Sequence, residues 1–196
     1  MKSTPNILLG VTGSINIATI FLYISALQND LRCRMHVMMT PAAQTFIPAT
    51  TIMHSIDGDV FVDLSAKGDF KMPHVELTHW ADAIVILPAS ANTVAKVANG
   101  FAQDIVSATL LCASSPVVMF PSMYIGMWQK PSVQRNIAQL RRDGYIVYPR
   151  EQKEAPKYGM QDSEGKVNLN EVDPTGGSLP APQAASAFVR RVLGQT

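Results

Sequence analysis

The sequence predicts an α/β fold in which a doubly wound parallel sheet is covered by helices on both faces. Short runs of consecutive apolar residues alternate along the chain with segments of helical periodicity, and strands that are apolar throughout are typical of parallel sheets buried on both faces. The chain has 196 residues, of which 47% are hydrophobic and 16% charged. These values predict one domain over residues 1–196 and exclude disordered and coiled-coil proteins.

The predicted strands are apolar runs that end at a proline or a turn. They are Asn6–Val11, Arg34–Met39, Ala83–Leu87, Pro116–Phe120 and Tyr145–Tyr148. Apolar residues three and four positions apart predict helices in the segments between and after them. The predicted helices are Ile15–Leu27, Ala42–Ile47, Thr93–Asn99, Asp104–Cys112, Pro131–Asp143 and Ala184–Leu193. Two polar segments interrupt this alternation, Ser65–Met72 and Arg150–Pro182, and the longer one has the length of a functional flap or a disordered stretch.

Charge and cysteine content exclude several classes of function. The 16 Lys and Arg residues balance 15 Asp and Glu residues, so neither nucleic acid nor an anionic membrane is an expected partner. No signal peptide and no membrane-spanning run is recognisable, and two cysteines form no disulfide framework. We therefore expect a cytoplasmic protein in which Cys33 and Cys112 are buried packing groups. The 10 methionines indicate either apolar contacts between subunits or a methionine-rich core.

In a doubly wound sheet, ligands bind beyond the carboxyl ends of the strands. Gly13, Ser14 and Thr40 lie there, next to predicted helix starts where free N–H groups favour anions. These residues are candidate phosphate contacts, although Ser14 and Thr40 are equally explained as helix caps. The segment GVTGSI is not the GxGxxG fingerprint, which argues against a nicotinamide cofactor.

The segment from Pro88 to Thr93 reads PASANT and is a stronger signal. Its alanines allow a flat ring to approach closely, while Ser90, Asn92 and Thr93 offer hydrogen bonds to the polar edge of such a ring. The competing interpretation is a strand-to-helix turn in which Asn92 caps the helix.

Of four histidines, His74 is the candidate acid or base. His36 lies in a predicted strand and His54 in a helical pattern, so both are expected to be structural. The spacing of His74 and His79 does not place them on one helical face, and no metal site is expected. His74 follows a polar loop and precedes the strand that leads to PASANT, where an imidazole can exchange a proton near neutral pH.

Five segments of this chain together resemble the flavin-containing cysteine decarboxylases. This family comprises phosphopantothenoylcysteine decarboxylases and the peptidyl-cysteine decarboxylases of lantibiotic and related peptide pathways. The matching segments are GSI at 13–15, HVELTHWAD at 74–82, PASANT at 88–93, ANG at 98–100 and PSMYIGMW at 121–128.

The resemblance implies a flavodoxin-like (Rossmann-like) fold, a bound FMN (with FAD as the alternative), and homotrimers that assemble into a dodecamer. It implies that His74 is catalytic. The implied flavin contacts are Gly13, Ser14, Ile15, Thr40, Ser90, Ala91, Asn92, Thr93 and Ser122. The implied substrate contacts are Met123, Tyr124 and Trp128.

Two features bear on the substrate that the resemblance implies. Tyr124 stands where the family motif has an Asn that grips the substrate carboxylate, and a phenol donates only one hydrogen bond. The flap Arg150–Pro182 lacks the cysteine that, in phosphopantothenoylcysteine decarboxylases, helps to return the enethiol to a saturated thiol.

We therefore expect oxidative decarboxylation of the C-terminal cysteine of a precursor peptide to an enethiol, as needed for aminovinyl-cysteine rings. Lys157, Tyr158 and Met160 of the flap are candidate peptide contacts, unless this segment is only a solvated loop. The alternatives are a phosphopantothenoylcysteine decarboxylase of coenzyme A biosynthesis and a flavin-binding subunit without catalysis.

Overall fold

The computed structural model describes residues 4–149 and 179–195, which form a parallel sheet with helices on both faces. The strands are β1 (Asn6–Val11), β2 (Arg34–Met39), β3 (Val60–Phe61), β4 (Ala83–Ala89), β5 (Val117–Pro121) and β6 (Ile146–Val147). Their order in the sheet is β3-β2-β1-β4-β5-β6, and every neighbouring pair is parallel. The strand order reverses direction at β1 and β4, which identifies the crevice between them as the topological switch point. The predicted fold class is confirmed.

The helices connect these strands and close the sheet. They are α1 (Ile20–Leu31), α2 (Pro41–Gln44), α3 (Ala49–Met53), α4 (Pro73–Trp80), α5 (Ala91–Ala98), α6 (Ile105–Cys112), α7 (Ile125–Trp128), α8 (Pro131–Arg142) and α9 (Pro182–Val192), with a 3₁₀ helix over Ile15–Thr19. The side chains of Thr40, Ser90 and Asp104 each accept a backbone N–H from the first turn that follows. These caps explain why α2, α5 and α6 begin where they do.

Alternating residues of each central strand supply two separate cores. On one face, Ile7 and Leu9 of β1 pack with α1 and α9. On the other face, Leu8 packs with residues of α4, α5, α6 and α8. Since every central strand is buried on both sides, the sequence reads as continuous apolar runs rather than as an alternating pattern.

The elements differ from the sequence prediction in several places, and α3, α4 and α7 were not among the predicted helices. The strand Val60–Phe61 was missed because two residues give no periodicity. The predicted helix Ile15–Leu27 divides into the 3₁₀ turn and α1, and β4 continues through Pro88 to Ala89. The strand predicted at Tyr145–Tyr148 is only Ile146–Val147, at the edge of the sheet. The single-domain organisation stays a prediction.

Five of the eight methionines among the described residues lie in the core. Met35, Met38, Met39, Met119 and Met123 are buried, whereas Met53, Met72 and Met127 are exposed. Core packing therefore accounts for five of the 10 methionines of the chain. The burial predicted for Cys112 is wrong, because it ends α6 at the surface beside the exposed Leu111, while Cys33 is half-buried. Within residues 4–149 and 179–195, no helix is long and apolar enough to cross a membrane.

Candidate active site

The crevice at the switch point is held together by Thr12, which directly follows β1. Its hydroxyl donates a hydrogen bond to the Pro88 carbonyl oxygen at 2.6 Å and accepts one from the Ser90 N–H at 2.8 Å. Thr12 is fully buried, so this one side chain fixes the loop after β1 against the loop after β4. Sequence reasoning missed Thr12, although a hydroxyl directly after a buried strand is a usable signal.

A second polar link joins the loop after β1 to the loop after β5. The Ser14 and Ser122 hydroxyls lie 2.7 Å apart, and the Asn16 amide donates to the Ser122 Oγ at 3.0 Å. Ser122 also anchors its own loop, because its N–H donates to the Ala89 carbonyl oxygen at 2.8 Å. Ser14 therefore does more than begin a helix, since its side chain makes no capping hydrogen bond. Asn16 is a further residue of this cluster that the sequence analysis did not identify.

Gly13 and Thr40 lie together where the loop after β1 meets α2. A Cβ atom at position 13 would lie 2.6 Å from the Ala42 Cβ, so only glycine permits this approach. The Thr40 oxygen accepts the Ala43 N–H at 3.2 Å, which is the capping arrangement. That bond uses an oxygen lone pair and leaves the hydroxyl proton of Thr40 available for donation.

The PASANT segment forms the end of β4 and the start of α5. Ser90, rather than Asn92, is the cap: its oxygen accepts the Thr93 N–H at 3.3 Å and lies 3.1 Å from the Thr93 hydroxyl. The capping interpretation of Asn92 is therefore wrong, because Asn92 lies one residue inside the helix and is exposed. Ala91 is half-buried at the first helical position.

His74 lies in the first turn of α4, after the polar loop. The residue is half-buried, and its Nδ1 atom is shielded from solvent yet has no hydrogen-bond partner in the described part of the chain. Burying a ring nitrogen without a partner is unfavourable unless a ligand supplies the missing bond. In α/β folds the helix that follows a strand starts near the carboxyl end of that strand. His74 therefore lies at the edge of the sheet that is formed by the carboxyl ends of the strands, as the crevice does.

The other histidines have structural or exposed positions. The His36 Nδ1 accepts the Asp59 N–H at 2.8 Å, and its ring centre lies 4.2 Å from that of Trp80. Burial lowers the pKa of His36, and the nearby Asp59 only partly opposes this effect. His54 and His79 are exposed. Among the residues described, no group of three or more His, Cys, Asp or Glu side chains is placed to hold a metal ion.

The expected substrate residues lie in the loop after β5 and in α7. Met123 and Ile125 are buried, and Trp128 is half-buried against the core of the α8 face. Tyr124 precedes α7 and keeps 44% of its surface exposed. Lys157, Tyr158 and Met160 lie outside the described residues.

The crevice residues fit a flavin nucleotide. The hydroxyls of Ser14, Thr40 and Ser90 are suited to a phosphate ester and to the polar edge of a ring. Beside them Ile15 keeps 55% of its surface exposed, an apolar contact for a flat ring. On α4, the His74 Nδ1 atom has no partner among the described residues and is a separate candidate for contact with a ligand.

Comparison with known proteins identifies relatives along most of the chain. A family model described as Flavoprotein matches residues 1–173. Mersacidin decarboxylase from Bacillus sp. (strain HIL-Y85/54728) is 38% identical over 144 residues, which is 72% of this chain and 71% of that protein. The bifunctional coenzyme A biosynthesis protein CoaBC from Bacillus subtilis (strain 168) is 34% identical over 146 residues, 74% of this chain but only 36% of that protein.

Solved structures agree with the sequence comparison. The FMN-dependent cysteine decarboxylase SpaF superimposes with a TM-score of 0.76 at 33% identity, over 96% of this chain and 97% of that one. The peptidyl-cysteine decarboxylase EpiD superimposes with a TM-score of 0.69 at 27% identity, over 76% of this chain and 88% of that one.

Proposed function

Because the chain belongs to the Flavoprotein family and, within it, to the cysteine decarboxylases, we propose that it is an FMN-dependent enzyme that oxidatively decarboxylates the C-terminal cysteine of a precursor peptide. The single observation that carries this proposal is the similarity to SpaF, which extends over 96% of this chain at 33% identity. The product is an enethiol of the kind used to form aminovinyl-cysteine rings in lantibiotic and related peptides.

The chemistry requires an electron acceptor, because loss of CO₂ from an ordinary cysteine leaves a carbanion without stabilisation. FMN, when bound, supplies that acceptor for two electrons from the thiol-bearing carbon. The cysteine residue loses CO₂, two electrons and two protons, and its Cα–Cβ bond becomes the double bond of the enethiol. The protein's contribution is to hold the thiol, the carboxylate and the ring in one arrangement.

His74 is the residue that we assign to the thiol proton. Its Nδ1 atom has no hydrogen-bond partner among the described residues, so a neutral imidazole can accept a proton or a hydrogen bond there. Ser14, Ser90 and Ser122 would hold the flavin, since they lie on the three loops that follow β1, β4 and β5. Thr12 and Asn16 fix the loops that carry these hydroxyls.

Phosphopantothenoylcysteine decarboxylation is the second candidate, favoured by the similarity to CoaBC. The sequence from Arg150 to Pro182 contains no cysteine, and this argues against a product that is reduced back to a saturated thiol. The two reactions share the oxidation and the loss of CO₂, so the same site serves either one.

We also propose that the protein assembles into homotrimers and then a dodecamer in the cytoplasm. Large apolar side chains at the surface, such as Leu22, Phe46, Phe101 and Leu111, support association because monomeric proteins rarely expose many of them. Two free thiols are consistent with a reducing compartment. Analytical ultracentrifugation of the purified holoprotein tests the assembly, and a monomer at micromolar concentration would contradict it.

The function is tested by incubating the FMN-loaded protein with a short peptide that ends in cysteine and weighing the product. We expect the peptide to lose the mass of CO₂ plus two hydrogen atoms. Loss of CO₂ alone would indicate a saturated product and would favour phosphopantothenoylcysteine decarboxylation as the function. Phosphopantothenoylcysteine is the comparison substrate. An unchanged peptide in a protein that remains yellow would support flavin binding without catalysis, and a matched peptide ending in serine is the negative control.

A further inference from the structure

The placement of His74 depends on the first turn of α4. The Nδ1 atom of the residue has no hydrogen-bond partner in the described part of the chain, so the described residues do not hold the ring through that atom. The imidazole is therefore positioned by the backbone turn in which it lies. A misplacement of about 1 Å in a reacting group costs about 10²-fold in rate, so whatever fixes this turn matters for the reaction.

Glu76 closes the first turn of α4 in place of an ordinary cap. Met72 precedes the helix and makes no capping bond with its side chain, and the next residue, Pro73, has no N–H to donate. The Glu76 carboxylate reaches back and accepts the Met72 N–H at 2.9 Å. The Met72 carbonyl oxygen in turn accepts the N–H groups of Val75 and Glu76, at 2.9 and 3.0 Å. His74 lies inside the turn that these three bonds close.

The chain just before α4 is itself fixed to the sheet. Phe70 exchanges two backbone hydrogen bonds with Lys67, at 2.8 and 3.0 Å. The Phe70 ring lies edge-on to the rings of Phe61 and His36, with centre-to-centre distances of 5.0 and 5.4 Å. The Lys67 ammonium donates a hydrogen bond to the Val60 carbonyl oxygen. These residues therefore form a support for the start of α4 that rests on β2 and β3.

Glu76 connects the turn that carries His74 to this support. Loss of its carboxylate would leave the Met72 N–H without this acceptor, and the turn would be held by main-chain bonds of the kind that open first at helix ends. The body of the helix stays anchored, because Leu77 is fully buried. Removing the Glu76 side chain should therefore loosen the first turn locally without unfolding α4.

We propose that Glu76 is a positioning residue for the reaction, because its hydrogen bond to the Met72 N–H holds His74 in the orientation needed for proton transfer. This inference rests on the proposed function, which assigns the thiol proton to His74. Glu76 acts here as a hydrogen-bond acceptor and not as a charge. A glutamine can therefore replace it, since the amide oxygen accepts the same N–H, whereas an alanine cannot.

The test compares Glu76→Ala with Glu76→Gln in the FMN-loaded protein and uses a peptide that ends in cysteine. Glu76→Ala should lower kcat by about tenfold or more, while KM and the affinity for FMN change by less than about twofold. Glu76→Gln should recover most of the lost rate. Asp69→Ala removes an exposed carboxylate from the preceding loop and is the matched control, which should keep the wild-type rate. Equal kcat in wild type and Glu76→Ala, or a Glu76→Gln variant as slow as Glu76→Ala, overturns the inference.

A double variant shows whether Glu76 acts through His74. In the His74→Asn background, Glu76→Ala should have no further effect on the residual rate, because the group that it positions is gone. A residue that only stabilised the fold or the flavin site would lower the residual rate by the same factor as in the wild type. That result would overturn the inference.

Hydrogen exchange separates this inference from the proposed function. The backbone N–H groups of residues 75 and 76, which bond to the Met72 carbonyl oxygen, should exchange faster in Glu76→Ala than in the wild type and at the wild-type rate in Glu76→Gln. If no cysteine peptide is converted but exchange follows this order, the proposed function fails while the role of Glu76 in fixing the turn stands. Equal exchange in wild type and Glu76→Ala overturns the inference, whatever the activity.

Discussion

Two buried polar regions of this protein differ in whether their polar atoms find hydrogen-bond partners within the protein. At the corner between α5 and α6, the Lys96 ammonium lies 2.8 Å from the Asp104 carboxylate, which also accepts the Ser107 N–H at 2.9 Å. We call this cluster closed, because its charged groups and the Ser107 N–H pair with one another. The partners are close in sequence, and they cap α6 or join it to α5. Burial by itself would raise the pKa of Asp104, but hydrogen bonds from Lys96 and Ser107 outweigh it and hold the pKa below its ordinary value.

The polar groups at the carboxyl edge of the sheet are built from residues far apart in sequence. Thr12 bonds to Pro88 and Ser14 to Ser122, and at the start of α4 His74 has a buried nitrogen without a partner in the described chain. A cluster that closes on itself stabilises the fold, whereas one that leaves a buried polar atom unpaired is prepared for a ligand. Substitutions in the two clusters should therefore separate stability from activity.

The largest effect is expected at His74. His74→Asn should lower turnover of a cysteine-terminated peptide by about 10²–10⁴-fold, because a positioned acid or base contributes that much. FMN should remain bound, as judged from the absorbance of the purified protein. The matched control is His79→Asn on the same helix, which is exposed and should change the rate by no more than about twofold. Full activity in His74→Asn would refute the catalytic assignment.

Next in size is the closed corner. Asp104→Asn should lower the free energy of unfolding by about 2 kcal/mol at pH 7, because it leaves the partly buried Lys96 cation without its anion. The pKa of Asp104 is depressed from its ordinary value of 3.8, so its contribution is fully present above that value and is lost as the pH falls through the lower, folded pKa. Urea titrations should show the two proteins converging in that acid range.

Turnover per folded molecule of the Asp104→Asn variant should equal that of the wild type. Asp143→Asn makes the same chemical change at an exposed position and should alter stability by less than about 0.5 kcal/mol. Equal stability losses in these two variants would mean that the Lys96–Asp104 pair contributes nothing.

A smaller effect is expected at Ser122, where the loops after β1 and β5 meet. Ser122→Ala should weaken FMN binding by about three- to tenfold, the value of one neutral hydrogen bond, and should leave Ser14 and Asn16 without this partner. Flavin fluorescence titration of the apoprotein measures the affinity. Ser25→Ala removes an exposed hydroxyl on α1 and serves as the control. Unchanged FMN affinity in Ser122→Ala would show that the hydroxyl only links the two loops and does not contact the flavin.

The smallest effect is expected at the cysteines. Cys112→Ser should leave turnover unchanged and should change the free energy of unfolding by no more than about 0.5 kcal/mol, because the thiol is exposed and lies at the end of α6. Burial raises the pKa of the Cys33 thiol to about 11, so this residue is not a thiolate at neutral pH. We expect the wild type and the cysteine variants to release the same enethiol. If the wild type released a saturated thiol and a cysteine variant released the enethiol, a cysteine would take part in the reaction.

Much of the fold could be predicted because it depends on local patterns. The bounds of β1 and β2 were correct, and the starts of α6 and α8 were correct to within one residue, since apolar runs, caps and prolines act within a few residues. The edge strands were missed or too long because two-residue pairings are decided by the neighbouring strand. The exposure of Cys112 could not be read from its helix, because exposure depends on what packs beyond the last turn.

The sequence by itself determined the alternation of strands and helices, the hydroxyl-rich loops after the strands and the candidacy of His74, because these features follow from residue type and spacing. Only the tertiary structure decided which loops meet. Ser14 and Ser122 are 108 residues apart, and Thr12 joins Pro88 across 76, through contacts that exist only after the sheet has formed in its order. It also gave Ser90, not Asn92, the cap and seated the Tyr124 ring on Gly126, since both depend on backbone direction rather than composition.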